Sequence, residues 1–383
     1  MKKILVTGGM GYIGSHTVVQ LYDAGYEPII VDNLVNSKPE VLNRIEKITG
    51  KRPLFYEYDV RDEEKLNSIF DEHEIFAVIH FAGLKSVGES VQKPQLYFDN
   101  NIGSTEVLLR VMEKHNCKNI VFSSSATVYG NPERVPIYEE DKLGPTTNPY
   151  GETKLRIEYL LKGVAKNDKS WNIVLLRYFN PIGAHKSGLM GEDPQGIPNN
   201  LMPYIARVSV GKLKELSIFG NDYNTKDGTG VRDYIHVVDL AQGHLAALRK
   251  LEQNPGLVVY NLGTGVGYSV LDMVNAYNKC CGGKVKYKFA PRRPGDIDVC
   301  YASPEKAYKE LGWKATHSLE DMCNWPMLRP FPLYSILANL TWFNPMLLSS
   351  IPSWMYLSFS ALQIYKSLIN SNLDNAFSFL KTY

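Results

Sequence analysis

An apolar run, Lys3-Ile-Leu-Val-Thr7, leads directly into Gly8-Gly-Met-Gly11-Tyr12-Ile13-Gly14, and helical spacing follows from Tyr12 to Tyr22. Strand, glycine turn and helix in that order open a dinucleotide-binding βαβ unit, where phosphates rest on the helix N-terminus. Gly8 permits the tight turn, Gly11 lets a pyrophosphate approach the backbone, and Gly14 lets helix and strand close together. A second apolar run, Pro28-Ile-Ile-Val-Asp32, comes next. Asp32 falls roughly 20 residues past the glycines, where a carboxylate accepts ribose hydroxyls. No Arg or Lys directly follows it to meet a 2′-phosphate, so NAD is expected rather than NADP.

The same texture continues. Phe55–Val60, Ala77–Ala82, Asn119–Ser124 and Ile173–Tyr178 read as strands, and stretches such as Thr105–Lys114 between them have helical periodicity. This alternation predicts an α/β fold: a doubly wound, Rossmann-like parallel sheet with ligands at the strand C-termini. After Asn180 the chain becomes rich in Gly, Pro and Asn loops, the usual material of binding elements. We therefore expect a dinucleotide domain over 1–180, with later segments crossing back, and a smaller α/β substrate-binding lobe mainly over 181–323. Residues 324–383 form an atypical apolar tail. Between Arg329 and Lys366 it has no charged residue, and Pro330, Pro332, Pro345 and Pro352 interrupt any helix. Met346–Tyr365 is long enough to cross a bilayer, but Pro352 and several serines argue against a span.

The second chemical signal is Tyr150-Gly-Glu-Thr-Lys154. A Tyr and a Lys four residues apart share one helix face, and a fixed ammonium favours the phenolate. Such a pair can take a proton from an alcohol while a dinucleotide takes the hydride. By itself the spacing also fits a surface Tyr stacked on a Lys stem; the glycine run decides between them.

Composition closes off other classes. The 42 basic and 40 acidic residues leave a net charge of +2, which gives no reason to expect a nucleic-acid partner. Five scattered cysteines suggest a reducing, cytoplasmic setting without a disulfide framework. The first apolar run reads as a strand of the nucleotide fold, so no signal peptide is expected. The eight histidines form no metal-ligand pair, so no metal is expected.

Longer strings carry a resemblance from Met1 to about Cys323. They are TGGMGYIGSH, HFAGLKSVGESVQKP (His80–Pro94), FSSSATVYG (Phe122–Gly130), NPYGETK (Asn148–Lys154), LLRYFNPIGAH (Leu175–His185), GEDPQGIPNNLMPYI (Gly191–Ile205) and DGTGVRDYIHVVDLA (Asp227–Ala241). In these the chain resembles the extended short-chain dehydrogenase/reductase family, and within it the UDP-hexose 4-epimerases. The resemblance implies an NAD-dependent isomerase of galactose metabolism, its partners being a UDP-hexose and a second copy of the chain in a homodimer. It implies interconversion of UDP-glucose and UDP-galactose by transient oxidation at C4, and of UDP-GlcNAc and UDP-GalNAc as well.

By position, Tyr150 is then the acid/base, Lys154 lowers its pKa and binds the nicotinamide ribose, and Ser125 bridges substrate and phenol. The cofactor contacts implied are Gly8, Gly11, Tyr12, Ile13 and Gly14 at the pyrophosphate, with Asp32, Asn33 and Asn36 at the adenosine ribose. Asp59 and Val60 meet the adenine; Phe81, Ala82, Gly83 and Lys85 line the cleft, and Asn100 and Phe179 lie towards the nicotinamide. For the substrate, Arg232 and Arg293 resemble a diphosphate clamp. Asn180, Asn199, Asn200 and Leu201 resemble the sugar and diphosphate loop, and Phe219 and Asp296 the uridine contacts. Ser125, Ala126 and Thr127 flank the sugar. Cys300 takes the place beside the C2 substituent, where a small residue leaves room for an acetamido group. Tyr178 resembles a sugar-facing aromatic, although core packing explains it equally.

Two alternatives stand beside this reading. A nucleotide-sugar 4,6-dehydratase needs a further acid/base pair, and relatives of that kind carry Asp-Glu after a Thr where this chain has Ser125-Ala126-Thr127. A catalytically silent or membrane-associated NAD-binding form is the other, raised by the unusual tail.

Overall fold

Seven parallel strands make the main sheet of the computed structural model: β1 (Lys3–Thr7), β2 (Glu27–Val31), β3 (Leu54–Tyr56), β4 (Ile75–His80), β5 (Asn119–Ser125), β6 (Asn172–Tyr178) and, after three strands elsewhere, β10 (Leu257–Leu262). The structure describes residues 1–323 except 195–197, 199, 283–284 and 294. The apolar tail, the stretch Met346–Tyr365 and Asn199 therefore lie outside the described residues.

The strands lie in the order β10-β6-β5-β4-β1-β2-β3. From β1 the chain winds outward to β3, then returns to β4 on the other side of β1. That reversal opens a crevice at the C-terminal ends of β1 and β4, the usual ligand position in such sheets. This is the α/β, Rossmann-like fold expected from the alternating texture.

Both faces of the sheet are covered, and strand alternation sorts the core between them. Ile4, Val6, Ile30, Ile79, Val121 and Val174 pack on one side, with Val18 of helix α1 (Tyr12–Asp23) among them. Leu5, Ile29, Val78, Ile120, Phe122 and Ile173 pack on the other. Helices α2 (Glu40–Thr49) and α3 (Glu63–Glu72) follow β2 and β3. Next come α4 (Val87–Gln92), α5 (Pro94–Tyr97), a π-helical segment (Phe98–Ile102) and α6 (Gly103–Lys114), and then α7 (Pro149–Asn167) after β5. Several helix starts are fixed locally. Asp62 caps α3, Ser86 caps α4, and Asn148 caps α7 with Pro149 in its first turn.

Beyond β6 the chain forms β7 (Asn180–Ile182), α8 (Leu201–Ser209), β8 (Leu216–Phe219), β9 (Val231–His236) and α9 (Val237–Leu251). After β10 it continues through β11 (Gly267–Ser269), α10 (Val270–Cys281), β12 (Tyr287–Ala290), β13 (Val299–Cys300), α11 (Glu305–Leu311) and α12 (Leu319–Cys323). Strands β7, β9, β11 and β13 form a second, small sheet, and β8 pairs with β12. A separate apolar cluster built on Ile182, Met202, Ile205, Ile218, Met273, Tyr277 and Met322 holds this part together.

Strand limits differ from the sequence reading at the crevice. The third strand ends at Tyr56 rather than Val60, and the fourth runs Ile75–His80 rather than Ala77–Ala82. Asp59, Val60, Phe81 and Ala82 thus lie on loops past the strand ends, where the backbone leaves the ladder to surround the crevice. No helix among the described residues is long and apolar enough to cross a membrane.

Four buried histidines make the fold sensitive to acid. Burial lowers His16 and His244 to about 4, and His80 and His236 to about 3. His80 is neutral between Thr7 Oγ1 at 2.7 Å and Thr105 Oγ1 at 3.1 Å, joining β1, β4 and α6. The unfolded chain protonates these rings near pH ~6.5, so below that it binds more protons than the native state. Stability from this source is complete above the unfolded value and is lost as pH falls towards the folded ones. We expect the melting temperature to drop between about pH 7.5 and about pH 5, and an unchanged or rising value would contradict this.

Candidate active site

Tyr150 lies in the first turn of α7 and Lys154 one turn later on the same face. Lys154 is 5% exposed, and its Nζ donates to the Ser123 carbonyl at 2.7 Å. The ammonium lies 4.8 Å from the Phe122 ring centre and 6.0 Å from that of Tyr150. Burial brings Lys154 down to about 8. Tyr150 keeps part of its surface open to the cleft, yet burial pushes its phenol up to about 12, against a hydrogen bond with Ser125 that lowers it. In this state desolvation sets the phenol's pKa, while the Lys154 ammonium is aimed at a backbone carbonyl. Ser123 Oγ in turn pairs closely with the Tyr178 phenol. Tyr178 consequently stands behind the catalytic face, its hydroxyl occupied by the strand.

The glycine turn forms the neighbouring wall. Gly8 adopts φ +71°, and its carbonyl accepts from Gly11 N at 3.1 Å. A Cβ on Gly14 would lie 2.3 Å from that carbonyl oxygen and 2.8 Å from Gly9 Cα, so only glycine lets α1 lie this close. At Gly11 a Cβ would meet nothing nearer than 3.2 Å and would project over the start of α1. No side chain caps α1 there, in contrast to α3, α4 and α7. An uncapped N-terminus with a Cβ-free approach suits a phosphate group.

At the end of β2, Asp32 is 9% exposed and accepts from Met10 N at 3.1 Å, Leu34 N at 2.9 Å and Ser37 Oγ at 2.8 Å. Its burial raises its pKa, against those three bonds. Asn33 Nδ2 donates to Asp59 Oδ2 at 3.1 Å, and Arg61 grips the same carboxylate, holding Asp59 down at about 2. Val60 is buried behind this rim and Asn36 is exposed on it. These residues fit a dinucleotide: backbone donors for the diphosphate, and a carboxylate and amides for the adenosine end.

Tyr12 OH donates to the Gly183 carbonyl at 2.6 Å, which ties α1 to the loop after β7. Arg44 reaches the Leu189 carbonyl at 3.2 Å, Lys38 pairs with Asp193 at 2.5 Å, and Lys85 with Glu192 at 3.1 Å. The segment 183–193 is therefore strapped to the elements that follow β1, β2 and β4. Asn200, at the start of α8, joins the same Glu192 oxygen at 2.5 Å, and Leu201 opens that helix. Asn100 donates to Asn101, the ring of Phe81 packs on His244, and Ala82 and Gly83 continue the wall.

A second group of side chains gathers at Asp296. Arg293 Nε reaches it at 2.9 Å and lies over the Phe219 ring at 4.9 Å, while Arg232 Nη2 stands 3.9 Å away. Arg232 is also held by the carbonyls of Val231 and Ile297 at 2.8 Å. Two guanidinium groups are thus preset around one carboxylate. Cys300 is paired in register with Arg232 and belongs to the apolar cluster of Ala126, Val128 and Phe179. Thr127 lies in the 3₁₀ turn Ala126–Tyr129, and Asn180 is exposed at the start of β7.

The sequence reading passed over Asn101 and Glu192. Asn101, 1% exposed, accepts from Leu84 N at 2.7 Å and donates to the Leu84 carbonyl and Thr153 Oγ1, both at 3.0 Å. It fixes the loop 83–85 against α7. A π-helical segment is often found at functional sites, and that was the available signal. Glu192 gave none, being one acidic residue in a loop.

Fold and site together define a dinucleotide-dependent enzyme of the short-chain dehydrogenase/reductase class. A family model described as GDP-mannose 4,6 dehydratase matches residues 5–325. UDP-glucose 4-epimerase of Bacillus subtilis is 62% identical over 320 residues, covering 84% of this chain and 94% of that protein. The human UDP-glucose 4-epimerase is 56% identical over 328 residues, with 84% and 94% covered. The crystal structure of the Bifidobacterium longum UDP-glucose 4-epimerase with NAD+ and UDP superposes with a TM-score of 0.83 at 58% identity, covering 85% of this chain and 97% of that one. The chain belongs to the UDP-glucose 4-epimerase family of extended short-chain dehydrogenases/reductases.

Proposed function

We propose that this chain interconverts UDP-glucose and UDP-galactose through reversible oxidation at C4 of the hexose. The observation that carries the reading is the Ser125–Tyr150–Lys154 group beside the uncapped glycine turn, in a chain so close to the epimerases. Residues 1–180 would hold NAD and 181–323 mainly the UDP-sugar. Bound NAD supplies the acceptor and donor of the C4 hydride. Tyr150 takes the 4-hydroxyl proton and returns it, Ser125 orients the phenol and hydroxyl, and Lys154 keeps the phenol's surroundings positive. Arg232 and Arg293 hold the diphosphate while Phe219 supports the uracil. Firm anchoring of UDP and loose holding of the hexose let either face of C4 be presented.

The test is direct. Purified protein is assayed for conversion of UDP-galactose into UDP-glucose without added reductant or oxidant, and the bound dinucleotide is released by denaturation and identified. Absence of conversion in protein that retains NAD would overturn the reading in favour of a silent form. Position 126 argues against the dehydratase named by the family model. Ala126 is a buried methyl, 8% exposed, and can neither give nor take a proton.

The N-acetylated pair of substrates belongs to the same proposal. Cys300 is 9% exposed beside Ala126 and Phe179, and a tyrosine ring there would fill space that an acetamido group needs. Overpacking of about 1–3 kcal/mol is enough to decide such a competition. Wild type is expected to act on UDP-GlcNAc, and Cys300→Tyr to lose that activity while keeping UDP-galactose turnover. Equal activity of both proteins on UDP-GlcNAc would remove Cys300 as the gate.

We also place the protein in the cytoplasm as a homodimer. The thiols at 117, 280, 281, 300 and 323, none of them in a disulfide among the described residues, suit a reducing compartment. Val91, Leu96 and Tyr159 are exposed on α4, α5 and α7, three helices packed against one another, and offer an apolar contact. Light scattering of the purified chain reads the oligomeric state.

A further inference from the structure

The face of α7 that carries Tyr150 and Lys154 continues at the same four-residue step to Glu158. Three consecutive residues of β5 meet those three positions. The Ser123 carbonyl accepts Lys154 Nζ at 2.7 Å, Ser124 Oγ donates to Glu158 Oε1 at 2.7 Å, and the Ser125 hydroxyl is near enough to the Tyr150 phenol to lower its pKa against burial.

Glu158 is wholly buried and Arg177 of β6 is 2% exposed. Arg177 forks onto both carboxylate oxygens, Nε at 2.8 Å and Nη2 at 2.6 Å, and Lys162 Nζ adds a longer contact at 3.3 Å. Burial opposes both charges, yet pairing wins, holding Glu158 below and Arg177 above their ordinary values. Arg177 Nη1 also reaches Tyr129 OH at 3.0 Å and the Glu139 carbonyl at 2.9 Å. Tyr129 ends the 3₁₀ turn that follows Ser125, and its hydroxyl donates to Asn261 of β10 at 2.7 Å.

Deeper in the same interface, α7 meets the sheet through apolar side chains such as Ile157, Leu161 and Ala165. A buried ion pair adds little adhesion over an apolar pair, because desolvation offsets its attraction. What it does add is direction, since forked hydrogen bonds fix distance and angle where apolar contacts allow sliding.

We infer that the Glu158–Arg177 pair positions the proton-transfer group, setting β5 against α7 so that Ser125 and the Ser123 carbonyl meet Tyr150 and Lys154. Neither residue touches substrate; both act through the strand. The inference rests on the proposed C4 chemistry. The other titratable and charged groups facing Tyr150 and Lys154 are His80 of β4 and Tyr178 of β6, with Lys162 further along α7.

The experiment compares wild type with Ser124→Ala, Glu158→Gln and Glu158→Asp as NAD-loaded proteins. Ser124→Ala deletes one hydroxyl and leaves the ion pair; Glu158→Gln keeps the shape without the charge. We expect KM for UDP-galactose to stay within about twofold while kcat falls about tenfold to a hundredfold, the scale of a displaced reacting group. The kcat–pH profile should shift as well, and Glu158→Asp, which keeps the charge, should recover part of kcat. Folding is checked by retained NAD and by melting; should Glu158→Gln fail to fold, Ser124→Ala decides alone. Wild-type kcat and pH profile in a folded Ser124→Ala overturn the inference, as does a loss confined to KM. A wild type without epimerase activity overturns the function beneath it, whereas an active wild type with unaffected variants overturns this inference alone.

Discussion

Tyr150→Phe should bind NAD as wild type does and turn over roughly 10²-fold to 10⁴-fold more slowly, the scale for losing a positioned acid/base. The ring remains, so the packing around it is kept; only the oxygen that meets Ser125 is lost. The pH profile gives a second check. Burial sets the phenol high, at about 12, and the lysine low, at about 8, in the state described. Depression of the working phenol therefore has to come with loading of the site, and activity in the loaded enzyme should rise with pH as the phenol loses its proton. Near-normal turnover in Tyr150→Phe would end the assignment.

Two glycines of one turn should fail differently. Gly14→Ala places a methyl 2.3 Å from the Gly8 carbonyl oxygen and 2.8 Å from Gly9 Cα, both backbone atoms that cannot swing aside. The clash sits in the first βα turn, and we expect it to cost upwards of about 3 kcal/mol, a large share of a domain's usual ~5–15 kcal/mol. Little soluble protein should result, or a melting temperature far below wild type. Gly11→Ala makes one tight contact, 3.2 Å to the Gly8 carbonyl oxygen, which a shift of a few tenths of an ångström relieves, and has φ −72°, which alanine accepts. It should fold normally and lose cofactor affinity, because its methyl enters the phosphate approach. Thermal melting with and without added NAD separates the two. Equal stability of both variants would mean that Gly14 is not needed for the close approach.

These two variants also mark what the sequence could reveal. A glycine run between a strand and a helix has a local cause, so the turn, the order of elements and the fold class are legible without coordinates. Tyr150 and Lys154 are legible for the same reason: four residues on a helix decide that they share a face. Arg177 and Glu158 carry no such mark. Their meeting depends on β6 lying beside β5 beneath α7, a fact of topology rather than spacing. Asn101 was hidden by its neighbour Asn100, since nothing local tells which amide turns inward. Burial of the phenol, which raises its pKa in the state described, was not legible either, since burial cannot be read from a pair of residues. Strand ends at Tyr56 and His80 moved for a related reason, as apolar runs continue past the last ladder bond into the crevice wall.

The strap over 183–193 has a consequence for the cell. Its ties to Tyr12, Lys38, Arg44 and Lys85 reach the segments that follow β1, β2 and β4. A dinucleotide held in that crevice would have to pass these ties on leaving, and an exchange slower than turnover, read by incubating the loaded protein with labelled NAD, is the expected result. The oxidation state of the catalyst would then follow its own sugar and not the ratio of free NAD to NADH. With such retention, the supply of sugar nucleotides would be insulated from respiration and fermentation, because no free dinucleotide would be consumed in the exchange of one UDP-hexose for the other.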